Sequence, residues 1–368
     1  MKRLIIFSLF LLLMIACAPQ QEQKEDVIRV GFISPLTGPA SQYGEPAING
    51  AKLALEDINK KGINGKKLEL IVEDGKCDSK EATTVATKLI TQDNVKVILG
   101  GHCSPESLAI APIAEQNKVI LFASMTTSPD YSKSGDYIFR NSPVNTEGQV
   151  VARGMNNLKI KTAAVIVQQT SYALPIRDAF QQTFNGKVVA SEEFKGDEAD
   201  FKTQLTKIKA KNPEAVFIIA QGVGSAINIM KQMKELGIKS KRFGAAVFDT
   251  PQIVEALGKD ADGIIFATLY ADESDPAVVD FKKRYKKAYG TEPPLLAHTL
   301  DATAAVYIIA EALEACGENP ECIKVFLYNY DNKKTLAGTI SIDENGDADK
   351  PFILKQIKDG KIEIYSSS

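Results

Sequence analysis

The segment GGHCSPES, residues 100–107, sets a histidine, a cysteine and a serine side by side in a chain with only two histidines and five cysteines. Such a trio could be a nucleophile with its base, a corner of a metal site, or a loop with a quieter task. A nucleophile needs its base within hydrogen-bond reach. Neighbours at a strand end point to opposite faces, which separates His102 from Cys103. The other histidine, His298, stands far along the chain in a predicted helix. A triad would need a histidine brought in from a distance. The cysteines have no C-x-x-C or H-x-x-x-H companions, as zinc would demand. The expectation is no catalytic centre, no metal and no cofactor.

The cysteines read better as disulfides. Lys2 and Arg3 precede an apolar run at 4–16. That run is shorter than the ~20 residues that span a bilayer, and it reads as a secretory leader at 1–16. Met14-Ile15-Ala16 before Cys17 resembles a lipoprotein cleavage box, in which the cysteine carries the lipid. Residues 17–26 are polar and aperiodic, so they read as a tether. The protein is expected to be exported, on the outer face of the cell membrane or in the periplasm, touching membrane by its lipid only. Setting Cys17 aside leaves Cys77, Cys103, Cys316 and Cys322. An even remainder in an exported chain suggests disulfides, with three pairings open. Gly317 and Pro320 permit a turn between Cys316 and Cys322, which leaves Cys77 for Cys103. The second bond would stabilise by about 3.5 kcal/mol through loop closure.

Ser104 then acquires a different meaning. Ser104-Pro105-Glu106 reads as a helix start with a serine cap. A helix N-terminus favours an anion. The loop SMTTSPDY, 124–131, brings Ser124, Thr126, Thr127 and Ser128 after the next strand. Two hydroxyl-rich loops at one sheet edge suit a carboxylate or another polar ligand.

The elements that must position these loops alternate. Strands VIRVGFIS, KLELIVED, KVILGG and VILFAS are separated by helices starting at Pro46, Ser79 and Ser104. A second series follows from 146: TAAVIVQ, KVVASEEF, AVFIIAQ, FGAAVF and GIIFATLY, with helical stretches such as 200–210 and 225–236 between them. This alternation predicts an α/β chain of two doubly wound parallel-sheet lobes. Its 368 residues fit two lobes of about 100–200 residues each. Helices at 276–288 and 296–315 are expected to return to the first lobe, and Asp359-Gly360 to join a late hairpin. The expected division is 27–145 with 273–350 for the first lobe, and 146–272 with 351–368 for the second. Several hinge strands between lobes suit closure around a ligand. A net charge of −2 gives no basic face for nucleic acid.

Two further patterns fail. QGVGSAI has Gly222 and Gly224 after a strand, but Ile227 stands where a dinucleotide fingerprint has its third glycine. DENGDADK spaces Asp343, Asn345 and Asp347 like a calcium loop, but its glycine is displaced and Leu354 takes the place of the last acid. A turn is the expectation there.

From Val27 onward the chain resembles the periplasmic binding proteins for branched-chain amino acids. The shared features are PLTGP (35–39), Tyr43-Gly44, NGA (49–51), the D-I-N-x-K-G run (57–62), the cysteine pair followed by Ser104, and Thr127-Ser128-Pro129-Asp130. The resemblance implies a type I two-lobed binding protein, a monomer and not an enzyme. Such a protein delivers a small ligand, most often an amino acid, to an ABC permease and its ATPase subunits. It also implies that Ser104 and Thr127 hold the α-carboxylate and that a main-chain carbonyl near Met125 helps hold the ammonium. Tyr43 would line the cleft from the first lobe, and Tyr172 would close from the second. The resemblance asks for an acid in the second lobe, and Asp249 in VFDTP is assigned that place although its offset departs from the family pattern. The QGVG loop lacks the aromatics of leucine binders, so the ligand stays open. A ligand-sensing receptor of the same fold, for an amide or a small carboxylate, is the alternative.

Overall fold

The computed structural model describes residues 27–196 and 198–366. The leader, Cys17 and the tether lie outside the described residues. The chain opens with β1 (Val27–Ser34), α1 (Gly44–Lys61), β2 (Lys67–Asp74), α2 (Ser79–Thr91), β3 (Val97–Gly100), α3 (Ser104–Gln116), β4 (Ile120–Ala123) and β5 (Ile138–Arg140). These strands form one sheet in the order β2-β1-β3-β4-β5, and every pairing is parallel. β5 is only three residues long, too short to show a period in sequence, and was not expected.

The second series is α4 (Glu147–Asn157), β6 (Thr162–Gln168), α5 (Ala173–Thr183), β7 (Lys187–Phe194), α6 (Lys202–Ala210), β8 (Ala215–Ile219), α7 (Val223–Glu235), β9 (Lys241–Gly244), α8 (Pro251–Leu257) and β10 (Ile265–Leu269). After it come α9 (Pro276–Tyr289), α10 (Leu296–Cys316), α11 (Pro320–Tyr328), β11 (Lys333–Thr335), β12 (Gly338–Ile340), β13 (Phe352–Lys358) and β14 (Lys361–Ile364). The second sheet runs β14-β13-β10-β9-β8-β6-β7. Its inner strands are parallel, but β13 pairs antiparallel with β10 and β14 with β13. The second lobe is therefore mixed at one edge. Asp359 (φ 49°) and Gly360 (φ 71°) make the tight turn that a two-residue hairpin requires.

The two long helices return to the first sheet. Ala47, Ala51 and Ala54 of α1 share a core with Ala302, Ala305 and Val306 of α10. The helices approach so closely that a Cβ on Gly50 would lie 2.2 Å from the Thr303 hydroxyl. α9 joins through Val278, Phe281 and Tyr285, which pack on Leu53 of α1. α10 is the one described helix long and apolar enough to cross a membrane, yet it is buried within the fold as a core helix.

Two boundaries differ from the sequence expectation. α1 begins at Gly44, before Pro46. FGAAVF is strand only to Gly244, because 246–248 turn as a 3-10 helix. There the Ala246 N–H donates to the Glu147 carboxylate at 2.8 Å, not to a strand neighbour. The 343–350 segment is the expected turn: Asp343 accepts from the N–H groups of Asn345 and Asp347.

Candidate functional site

The carboxyl edge of the first sheet is built around the Cys77–Cys103 bond and one buried acid. Cys77 is joined to Cys103 and Cys316 to Cys322, with Cα separations of 5.4 and 5.5 Å. Cys103, not Ser104, is the cap of α3, which corrects the serine-cap expectation. The reason lies in Glu106. Its carboxylate accepts the Cys103 N–H at 3.0 Å and the Cys77 N–H at 2.8 Å, so it ties both halves of the disulfide. Burial pushes the Glu106 carboxyl up to about 7. The helix therefore starts one residue early, and Ser104 becomes its first residue at the mouth of the N-terminus. The Ser104 Oγ accepts the Ser128 N–H at 3.3 Å, which links the two hydroxyl loops.

The hydroxyls of the second loop divide. Thr126 Oγ1 donates to the Gly101 carbonyl at 2.8 Å and meets the Ser107 hydroxyl at 2.5 Å, so it is structural. Ser128 Oγ accepts the Asp130 N–H and turns away with its own loop. Thr127 is the one left facing inward, where its Oγ1 accepts from Asn145 Nδ2 at 3.0 Å. The loop is held from behind by a fully buried arginine. Arg140 donates to the carbonyls of Thr126 (3.1 Å) and Ser128 (2.8 Å) and pairs with Asp347 at 2.7 Å. The failed calcium pattern thus supplies the counter-ion that sets the Thr127 loop.

A cavity of about 30 Å³ lies between the lobes. Tyr43, Ser104, Met125, Thr127 and Tyr172 line it, together with His102 and Cys103. Glu147, Gln221, His298 and Phe352 complete the wall. Five of the six candidate ligand residues therefore meet. Asp249 does not line the cavity. Its carboxylate accepts from Thr268 Oγ1 at 2.9 Å and pairs with Lys355 at 3.1 Å. The acid that lines the cavity is Glu147, at the start of α4. Its oxygens accept from Asn145, Tyr172 and the Ala246 N–H. Burial pushes its carboxyl up to about 7 against the pull of these donors. Burial and the Glu147 charge together push the Tyr172 phenol well above its ordinary value.

Glu147 was missed because an acid in the first turn of a helix usually serves the helix dipole alone. Gln221 could have been found, as it stands two residues after β8 at the edge where open α/β sheets bind ligands. His298 and Phe352 carry no sequence signal; only the return of α10 and β13 brings them in. Across the mouth Gln42 Nε2 donates to the Gln221 carbonyl at 3.0 Å, so the lobes touch. A larger cavity of about 190 Å³ beside Tyr270 and Leu300 is less suited to a ligand: its Lys350 is paired with Asp301 and its Asp275 with Lys334.

The arrangement complements a zwitterion. Two hydroxyls and a helix N-terminus favour an anion, and a buried carboxylate favours a cation across the same small space.

Comparison with known proteins places the fold. The profile of the family described as periplasmic binding protein matches residues 27–361. The chain is 29% identical over 351 residues to the leucine-, isoleucine-, valine-, threonine- and alanine-binding protein of Pseudomonas aeruginosa, covering 92% of each. Its structure is similar to that of a leucine-binding protein from Thermotoga maritima, with a TM-score of 0.86, 28% identity and coverage of 92% and 98%. It also resembles a branched-chain amino acid transporter substrate-binding protein of Streptococcus pneumoniae solved with isoleucine, at a TM-score of 0.84, 26% identity and the same coverage. These relatives are binding proteins and not enzymes. The chain belongs to the periplasmic binding protein family.

Proposed function

We propose that this protein captures a small α-amino acid between its lobes and delivers it to an ABC importer. The carboxylate is held by Ser104, Thr127 and the N-terminus of α3, with the ammonium on Glu147 and the main-chain carbonyl near Met125. Tyr43 closes over the ligand from the first lobe, taken as 27–145 with 273–350. Tyr172 closes from the second, taken as 146–272 with 351–368. Lipid on Cys17 after removal of 1–16 would keep the protein on the outer face of the cell membrane or in the periplasm, and a monomer suffices for one cleft.

The observation that supports the reading is the pairing of opposite preferences in one cavity: the hydroxyls of Ser104 and Thr127 line it together with the buried acid Glu147. Asp249 is set aside as the ammonium partner because Lys355 already neutralises it. A thermal-shift screen of the common amino acids and small carboxylates tests the reading, since a ligand bound only by the folded state raises its apparent stability. A shift with amino acids, abolished by Glu147→Gln, is expected. A shift with simple carboxylates and none with amino acids would overturn it.

A further inference from the structure

The two histidines of the chain, nearly two hundred positions apart, both line the one cavity. His102 comes from the end of β3 and His298 from the first turns of α10. Both are buried, at 4% and 8% exposure. His102 packs on Phe32 with ring centroids 5.2 Å apart, and His298 on Tyr43 at 5.5 Å. Cys103 is closed in a disulfide, and among the described residues no His, Cys, Asp and Glu group could hold a metal ion.

Their ring nitrogens are not fully satisfied. His102 Nδ1 lies 2.7 Å from the Ile33 carbonyl. A carbonyl only accepts, so Nδ1 is assigned the proton, and Nε2 is left as a bare acceptor pointing away from β1. Among the described residues no group meets that Nε2, and none meets His298 Nδ1. Burial holds both rings neutral, pushing them down to about 4 and about 3, with Lys350 and Lys355 adding to the effect at His298. A buried polar atom without a partner is destabilising. Two of them around one ligand cavity call for a ligand that supplies the missing partners.

The α-carboxylate and ammonium are already provided for by Ser104, Thr127 and Glu147. The histidines therefore address the rest of the ligand. An aliphatic side chain satisfies neither nitrogen. A hydroxyl or an amide both donates and accepts. The cavity, about 30 Å³, is small and favours a compact ligand, but size does not separate threonine from valine, and the histidine nitrogens do.

We propose that the cleft selects a compact α-amino acid with a hydroxyl or amide side chain over leucine, isoleucine and valine, and that His102 and His298 are its specificity-determining residues. The proposal rests on the amino-acid reading of the site given above. A site built to hydrogen-bond a side chain rejects an analogue lacking it, because its polar groups stay unpaired.

Threonine and valine share a shape and differ by the hydroxyl, so they make the deciding pair. Titration calorimetry of L-threonine, L-asparagine, L-valine and L-leucine near pH 8 is the test. Threonine or asparagine should bind at least ~10-fold more tightly than valine and leucine. His102→Phe and His298→Phe should each shrink that ratio to within about threefold by weakening the polar ligand, and His298→Asn should keep part of it. Valine or leucine binding as tightly as the polar ligands in the unaltered protein overturns the proposal and leaves the amino-acid reading standing. So does a polar preference unchanged in both folded histidine variants. If the variants fail to fold, the threonine-to-valine ratio of the unaltered protein decides. No binding of any of the four overturns the amino-acid reading as well.

Discussion

The phenol of Tyr172 reaches both carboxylate oxygens of Glu147, at 3.0 and 3.1 Å. The pair joins the N-terminus of α5 to that of α4 inside the second lobe, and it sets the acid where a cation can meet it.

This buried acid makes binding depend on pH. The Glu147 carboxyl stands near 7, above its ordinary 4.5. For a raised acid, its contribution to stability is fully present below the unfolded value and is lost as pH rises through about 7. A bound ammonium favours the carboxylate, so affinity should rise with pH and level off above about 7, with proton release on binding below that. Calorimetry from about pH 5.5 to 8 in buffers of different ionisation heat measures this. Glu147→Gln should flatten the profile, and a flat profile in the unaltered protein would contradict the assignment.

Ser104→Ala and Thr127→Val should weaken amino-acid binding by about 10- to 100-fold, since a hydrogen bond to a charged group contributes about 1.5–3 kcal/mol. Each also takes an acceptor from a buried donor, the Ser128 N–H or Asn145 Nδ2, so a modest fall in melting temperature should accompany the loss. Thr126→Val is the control next door. Its hydroxyl bonds Gly101 and Ser107, so denaturant midpoints should fall.

Asp249→Asn separates the two acids of the second lobe. The substitution leaves Lys355 and Thr268 poorly matched and should cost about 1–3 kcal/mol in urea unfolding. Affinity should stay within about threefold. A loss as large as that of Glu147→Gln would return the ammonium role to Asp249.

Arg140→Met strands Asp347 in the interior and frees the carbonyls of Thr126 and Ser128. Breaking a buried pair from one side costs about 3–5 kcal/mol. Urea titration should show that loss, larger than for any substitution in the cavity.

Closure itself can be tested at Gly222. A Cβ there would meet the Pro39 carbonyl at 2.9 Å across the mouth. Gly222→Val should therefore hold the lobes apart, lower affinity at unchanged thermal stability, and enlarge the radius of gyration of the ligand-bound protein in solution scattering. An unchanged affinity would show that the lobes need not touch there.

How much of this was legible beforehand follows from range. The strands β1, β2, β6 and β7 begin and end with VIRVGFIS, KLELIVED, TAAVIVQ and KVVASEEF, because β-branched and alternating residues favour extended chain locally. The edge of the first sheet was also legible, since the cysteines, Ser104 and Thr127 stand just after their strands. The reversal of β13 beside β10 was not, because strand direction is decided by the path of the returning chain. The same holds for the second-lobe acid. Asp249 follows β9 and Glu147 opens α4, and nothing local tells which one a lysine will neutralise.

GGHCSPES by itself determined that its cysteine would close a bond and that its serine would stand at a helix mouth. Those outcomes depend on residue type and on position after a strand. The sequence left His102 as a mere neighbour. Tertiary structure alone decided that His102 would share a cavity with His298, because side chains from β3 and α10 meet only when the long helix folds back over the first sheet and buries both rings out of reach of water.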